Sequence, residues 1–243
     1  MNRPFRFYLV ALLVSALIPL SCANLNLAEL DSILKGNAPL TQETVAKGLL
    51  EALTIGTERT SATLSKDGGF SSNSLLRIAL PSELQQIESR LRTLGLGKEV
   101  DRFELQMNQA AERAAGEAID VFASTIISMT IQDAFAILDG PANAATMFFK
   151  ERTSVELTSR FAPVVQSAMD QVGVYGVYTS LVDRYNAIPL IKPVSVDLEA
   201  YIVERTLSGM FSVLETEELQ IRQNPVARTT ELLKRVFGSR DTK

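Results

Sequence analysis

Between Val196 and Arg222 stand Leu198, Ile202, Val203, Leu207, Met210, Phe211, Val213 and Leu214. Placed on a helix, these side chains occupy most of its circumference, and a helix apolar on most sides needs neighbours on most sides. The segment therefore demands a helical bundle, with itself as a long central helix near 196–222.

The remaining sequence supplies the neighbours. Thr41 is placed to cap a helix that buries Val45, Leu49, Ala52 and Leu53. Ser82-Glu83-Leu84-Gln85 has the form of a capping box, and the helix it opens stops at the glycines of LGLG, Gly95 and Gly97. From about Lys98 to Ala115, Val100, Phe103, Met107, Ala110, Ala111 and Ala114 make one stripe. Gly116 bends the chain before Ile119, Phe122, Ile126 and Ile127 continue it. Thr130 caps a helix that Gly140 ends, with Pro141 at the first position of the next. A further helix is expected to start at Thr153 and to kink at Pro163. Val177, Tyr178, Leu181 and Tyr185 form another face, NAIPLIKPVS connects, and Asn224-Pro225 opens a last helix ending at Phe237-Gly238. The sum is an all-α bundle of roughly eight to ten helices. SKDGGFSSNS, residues 65–74, reads as a plain surface loop, and LLRIALP after it as a short extended piece.

The first 22 residues have the form of an export leader. Arg3 and Arg6 precede an apolar run of 13 residues, Tyr8 to Leu20, too short to span a bilayer. Two cleavage sites compete in LIPLSCAN. Ser21 before Cys22 suits lipoprotein processing, although Pro19 and Leu20 match it poorly; Ser21-Cys22-Ala23 equally offers small residues for a cut before Asn24. Acylation of Cys22 would give a permanent membrane anchor. The expected organisation is a leader over 1–22, a tether over 23–40, one helical domain over 41–238 and a tail over 239–243. The expected location is the periplasm, with or without the anchor.

Composition narrows the chemistry. The chain has no histidine, no tryptophan and one cysteine, which removes Ser-His-Asp and Cys-His catalysis, His-ligated metals and disulfides. No glycine-rich phosphate loop is present, and no cofactor or metal is expected. Without Arg3 and Arg6 the 24 basic residues become 22 against 28 acidic ones, a net charge near −6. Such a chain repels phosphate backbones, so nucleic acid is not an expected partner.

Candidate site residues are polar groups set among apolar ones. Helical rotation puts Glu104 inside the apolar arc of the Lys98–Ala115 helix, with Asn108 one turn on. Such a carboxylate needs a partner or a proton; an arginine partner that fixes helix register is one reading, a functional acid in a cleft the other. Arg205 holds a similar position between Leu198, Ile202 and Gly209. Arg184, Tyr185 and Asn186 gather where a helix ends. Arg222, Asn224 and Arg228 surround a helix start, where an anion would be welcome.

FELQMNQAAERAA, DAFAILDGPANAAT, RYNAIP and IRQNPVARTTELLKRVFG, taken in order, resemble the bacterial family known as domain of unknown function 4197, from about Leu49 to Gly238. The resemblance implies an exported, lipoprotein-like helical domain and carries no reaction, cofactor or catalytic residue. Three functions follow as expectations. The first is a non-enzymatic envelope protein that binds another envelope component, tethered if Cys22 is acylated. The second is a binder of a small anionic or lipid-like ligand in an Arg-lined cleft. The third is a carboxylate-only hydrolase of an envelope polymer, using Glu104 or Glu112.

Overall fold

A computed structural model describes residues 40–172, 174–187 and 195–239. Cys22, the leader, most of the expected tether, the tail after 239 and most of the 186–195 connector lie outside the described residues. Those described form nine α-helices and no strand: α1 (Gln42–Leu64), α2 (Ser82–Thr93), α3 (Gly97–Ala115), α4 (Ala118–Ser128), α5 (Ile131–Asp139), α6 (Ala144–Val172), α7 (Val174–Asn186), α8 (Leu198–Gln223) and α9 (Glu231–Gly238). The chain is an all-α multi-helix bundle.

The core lies where α1, α3, α6 and α8 meet. α8 packs on α6, α1 and α3, while α3 also touches α2 and α7. The predicted stripe of α3 is enclosed throughout, with Val100, Phe103, Met107, Ala110, Ala111 and Ala114 all at most 1 % exposed. Phe103 stacks on Tyr178 at 6.2 Å, and Phe122 meets Phe149 edge-on at 5.2 Å, geometries that favour aromatic pairs beyond their burial. α8 buries Ile202, Thr206, Gly209, Met210 and Leu214. Its opposite edge, with Glu204, Arg205, Ser208 and Ser212, stays exposed.

Two glycines are required by geometry. Gly95 turns the chain between α2 and α3 at φ 82°, a left-handed conformation open to glycine at no steric cost, and lets the Leu96 N–H return to Leu91 O at 2.9 Å. A Cβ at Gly209 would stand 2.8 Å from the Phe70 ring, so the bare α8 backbone there makes room for that ring.

Caps explain several boundaries and correct others. Thr41 accepts from the Thr44 N–H at 3.2 Å, as its position predicts. Thr130 and Asp133 close a full capping box on α5. Ser82 is the first residue of α2, not its cap, and its hydroxyl turns to Glu83. α6 begins at Ala144, not at Pro141 or Thr153, and runs through Pro163. Thr153 is buried within it, donating to Phe149 O at 2.6 Å, the i−4 bond a helical threonine can make. Asn224 caps only a 3₁₀ turn, Pro225–Ala227; Thr230 caps α9, accepting from Leu233 N–H. Arg205 is exposed, outside the buried face of α8.

Candidate functional site

On α3, Glu104, Asn108 and Glu112 follow at intervals of four, which puts them on one face, each about 6 Å above the last. Opposite them runs the 65–80 strap, and each residue holds a different part of it. Glu112 Oε1 accepts from the Phe70 N–H at 3.0 Å, the Ser71 N–H at 2.9 Å and the Ser71 hydroxyl at 3.0 Å. Asn108 acts as a substitute strand: its Oδ1 accepts from the Ile78 N–H at 2.8 Å, and its Nδ2 donates to Ile78 O at 2.9 Å and to Glu104 O at 2.7 Å. Glu104 pairs with Arg77. The Tyr201 hydroxyl of α8 adds a bond to Ala79 O at 2.9 Å. Burial, then the nearby Glu83 and Glu204 against an opposing Arg205, raise the Tyr201 pKa above its ordinary value, keeping this donor protonated.

The strap is therefore not a plain surface loop. Phe70 and Ile78 have no exposed surface. Backbone groups buried with them would each cost on the order of 1–3 kcal/mol if unpaired; Glu112 and Asn108 satisfy them. The arginine partner expected for Glu104 is present, and it comes from the strap.

The second polar cluster joins the end of α8 to the α5–α6 corner. Glu218, 8 % exposed, accepts from Ala145 N–H, Thr146 N–H and the Thr146 hydroxyl, all at 2.9 Å. These are the free donors of the first turn of α6, where negative charge is favoured. One turn on, Arg222 donates to Ile137 O at 2.7 Å and Leu138 O at 3.4 Å, carbonyls at the end of α5, where positive charge is favoured. Arg222 also pairs with Glu218 at 2.9 Å. Two residues one turn apart thus close two helix ends of opposite polarity. Arg228, 2 % exposed, donates to Ile221 O at 3.0 Å and Arg222 O at 2.7 Å, closing α8 itself. Asn224 accepts from Val226 N–H at 3.1 Å.

Among the sequence-predicted residues, then, Glu104 and Asn108 come together on α3, and Arg222, Asn224 and Arg228 at the end of α8. The guanidinium groups of Arg222 and Arg228 turn to carbonyls rather than to a shared opening. Arg184 and Asn186 lie exposed on α7, and Tyr185 between them is buried. The sequence offers Glu217, Glu218 and Glu231 as ion-pair partners for Arg222 and Arg228, and Glu218 is the partner of Arg222. Its hold on the first turn of α6, 72 residues away, had no local signal.

A groove opens beside the second cluster. α6 and α8 run antiparallel, and between them lies an open groove of about 460 Å³ reaching from Asn143 and Glu215 to Ser154 and Glu204. It shares Glu204 and Leu207 with a second stretch of about 360 Å³ that continues to Thr158 and Asp197. Among the described residues, no group of three or more acidic or cysteine side chains is placed to hold a metal ion. No single helix among them is long and apolar enough to cross a membrane.

The fold and its polar clusters define an all-α bundle in which motif side chains serve as internal braces. The chain belongs to the family described as Protein of unknown function (DUF4197), whose match covers residues 39–238. That match takes in the helix α1 from its capping residue onward. No curated protein and no solved structure matches the chain.

Proposed function

We propose that this is an exported protein of the cell envelope whose helical domain is a non-enzymatic binding module, anchored to a membrane where Cys22 is acylated. The observation that carries this reading is how the polar motif residues are employed. Glu104, Asn108, Arg222 and Arg228 are each bonded to other groups of the chain itself. Glu112 and Glu218, which share the same motif stretches or helix, are used likewise. Such bonding builds a rigid frame and commits these groups to holding the fold rather than to acid–base work over an opening.

Export rests on the leader: Arg3, Arg6, the apolar run to Leu20 and the lone Cys22. The test is intact-mass and N-terminal peptide spectrometry on protein recovered from its own host's membranes. The expected chain starts at Cys22 and carries a diacylglycerol and a fatty acid. A chain starting at Asn24 with no added mass would remove the anchor and keep export. A chain that retains Met1 in the cytosolic fraction would overturn export.

A further inference from the structure

We propose that the groove between α6 and α8 seats an amphipathic helix of another protein, one that carries lysine or arginine on both shoulders of its apolar stripe. The proposal rests on the binding-module reading and names its surface and the chemistry of its partner.

The groove has the form of a vacant place in a helical bundle. Ala200, Val203, Leu207 and Phe211 follow at three- and four-residue spacing along α8, and Met147 and Ala162 face them from α6. That apolar floor runs about 16 Å along α8, three turns of a partner helix, and two antiparallel helices offer a third just such a seam. Met147 is 56 % exposed on it, a flexible, polarizable side chain of the kind that adapts to a partner's surface.

Charge selects the occupant. Asp197, Glu199, Glu204 and Glu215 border the groove, and among the described residues lining it Lys150 is the single cation. Asp197 is bonded to Ala200 N–H and Glu215 to Asn143, while the side chains of Glu199 and Glu204 make no hydrogen bond or ion pair with any described residue. The whole chain is also acidic, at −4, so its field draws a cationic partner and repels an anionic one. A second copy of the groove would bring acid to acid. The chain's own segment 24–39, with Glu29 and Asp31 against Lys35, has the wrong sign as well.

The test uses the full chain and two synthetic helices of about 18 residues, identical in their leucine stripe. One carries lysine on both shoulders and the other glutamate, and binding is followed by fluorescence anisotropy. The lysine helix is expected to bind at least tenfold more tightly than its glutamate twin, and to weaken as salt rises. Glu204→Lys with Glu215→Lys should cost it at least tenfold. Ser212→Lys, which leaves the Glu215–Asn143 bond in place, should act in the same direction. Equal binding of the two helices, or variants that bind as the wild type does, would overturn the proposal.

Photo-crosslinking in the host separates this proposal from the reading it rests on, with the reactive residue at Ser208 in the groove or at Arg102 on the exposed side of α3. Adducts at Ser208 that vanish with Glu204→Lys support the groove. Adducts at Arg102 alone overturn the groove and leave a binding module; adducts at neither position overturn both. An adduct at Ser208 with twice the chain's own mass would identify a second copy and overturn the foreign partner.

Discussion

The inner face of α3 and the outer face of α8 carry the same pattern and use it in opposite ways. Glu104, Asn108 and Glu112 on one, and Glu204, Ser208 and Ser212 on the other, are polar groups repeated every four residues. On α3 the strap lies opposite, and its amides and Arg77 take up every polar side chain of the row. On α8 the row borders an open groove. What stands opposite a polar row decides whether it braces the fold or stays available to a partner. Spacing alone does not.

Breaking the inward braces should cost stability in proportion to what is left unpaired. The largest expected effect is that of Glu218→Ala, which strands two amides at the start of α6 and leaves Arg222 without its carboxylate. Removing one partner of a buried pair costs about 3–5 kcal/mol, and thermal or urea unfolding would show it. Asn108→Ala leaves both the N–H and the C=O of Ile78 buried and unpaired. About 3 kcal/mol is expected, a fall in Tm of roughly 6–12 °C for a domain of this size. Restored stability in Asn108→Ser would show that one bond suffices.

Glu104→Ala should be milder, at about 1 kcal/mol, because the Arg77 side chain is 51 % exposed and can return to water. Thr130→Ala removes the cap of α5 and should also cost about 1 kcal/mol. It has a second readout: the Thr130 hydroxyl and N–H hold the Asp133 carboxyl below its ordinary pKa. A depressed pKa contributes stability at pH above the ordinary carboxylate range, lost as pH falls through the folded value. NMR titration of the Ala variant should therefore place Asp133 closer to its ordinary range. The smallest effect belongs to the outward row, where Glu204→Lys should change stability by less than about 0.5 kcal/mol. A large loss there would make α8 a brace like α3 and erase the contrast.

The helices were legible where their signals are local. The α3 stripe, the Thr41 cap and the Thr130 cap all follow from residues within one or two turns of each other. The start of α6 was not, because its cap is Glu218, 72 residues beyond Thr146, and Thr153 offered a nearer false start. The strap was misread for the same reason. SKDGGFSSNS is polar enough to pass as surface, and only Glu112 opposite it makes the backbone at Phe70 worth burying. Asn224-Pro225 correctly marked a helical start, but a turn of 3₁₀ helix was all that followed. After it, Arg228 folds its guanidinium back onto the carbonyls of α8. The inward place of Glu104 was readable from rotation angle; its partner, 27 residues earlier on an irregular segment, was not.

The Glu218–Arg222 bracket also sets an order in time. It reaches back 72 to 85 residues, to the end of α5 and the start of α6. A ribosome makes the chain from the other end, so that corner has no clasp until Glu218 and Arg222 have been made. Contacts of such long reach form late because the intervening loop must close first. A corner that locks only then stays pliable while the whole stretch between its two halves is being made.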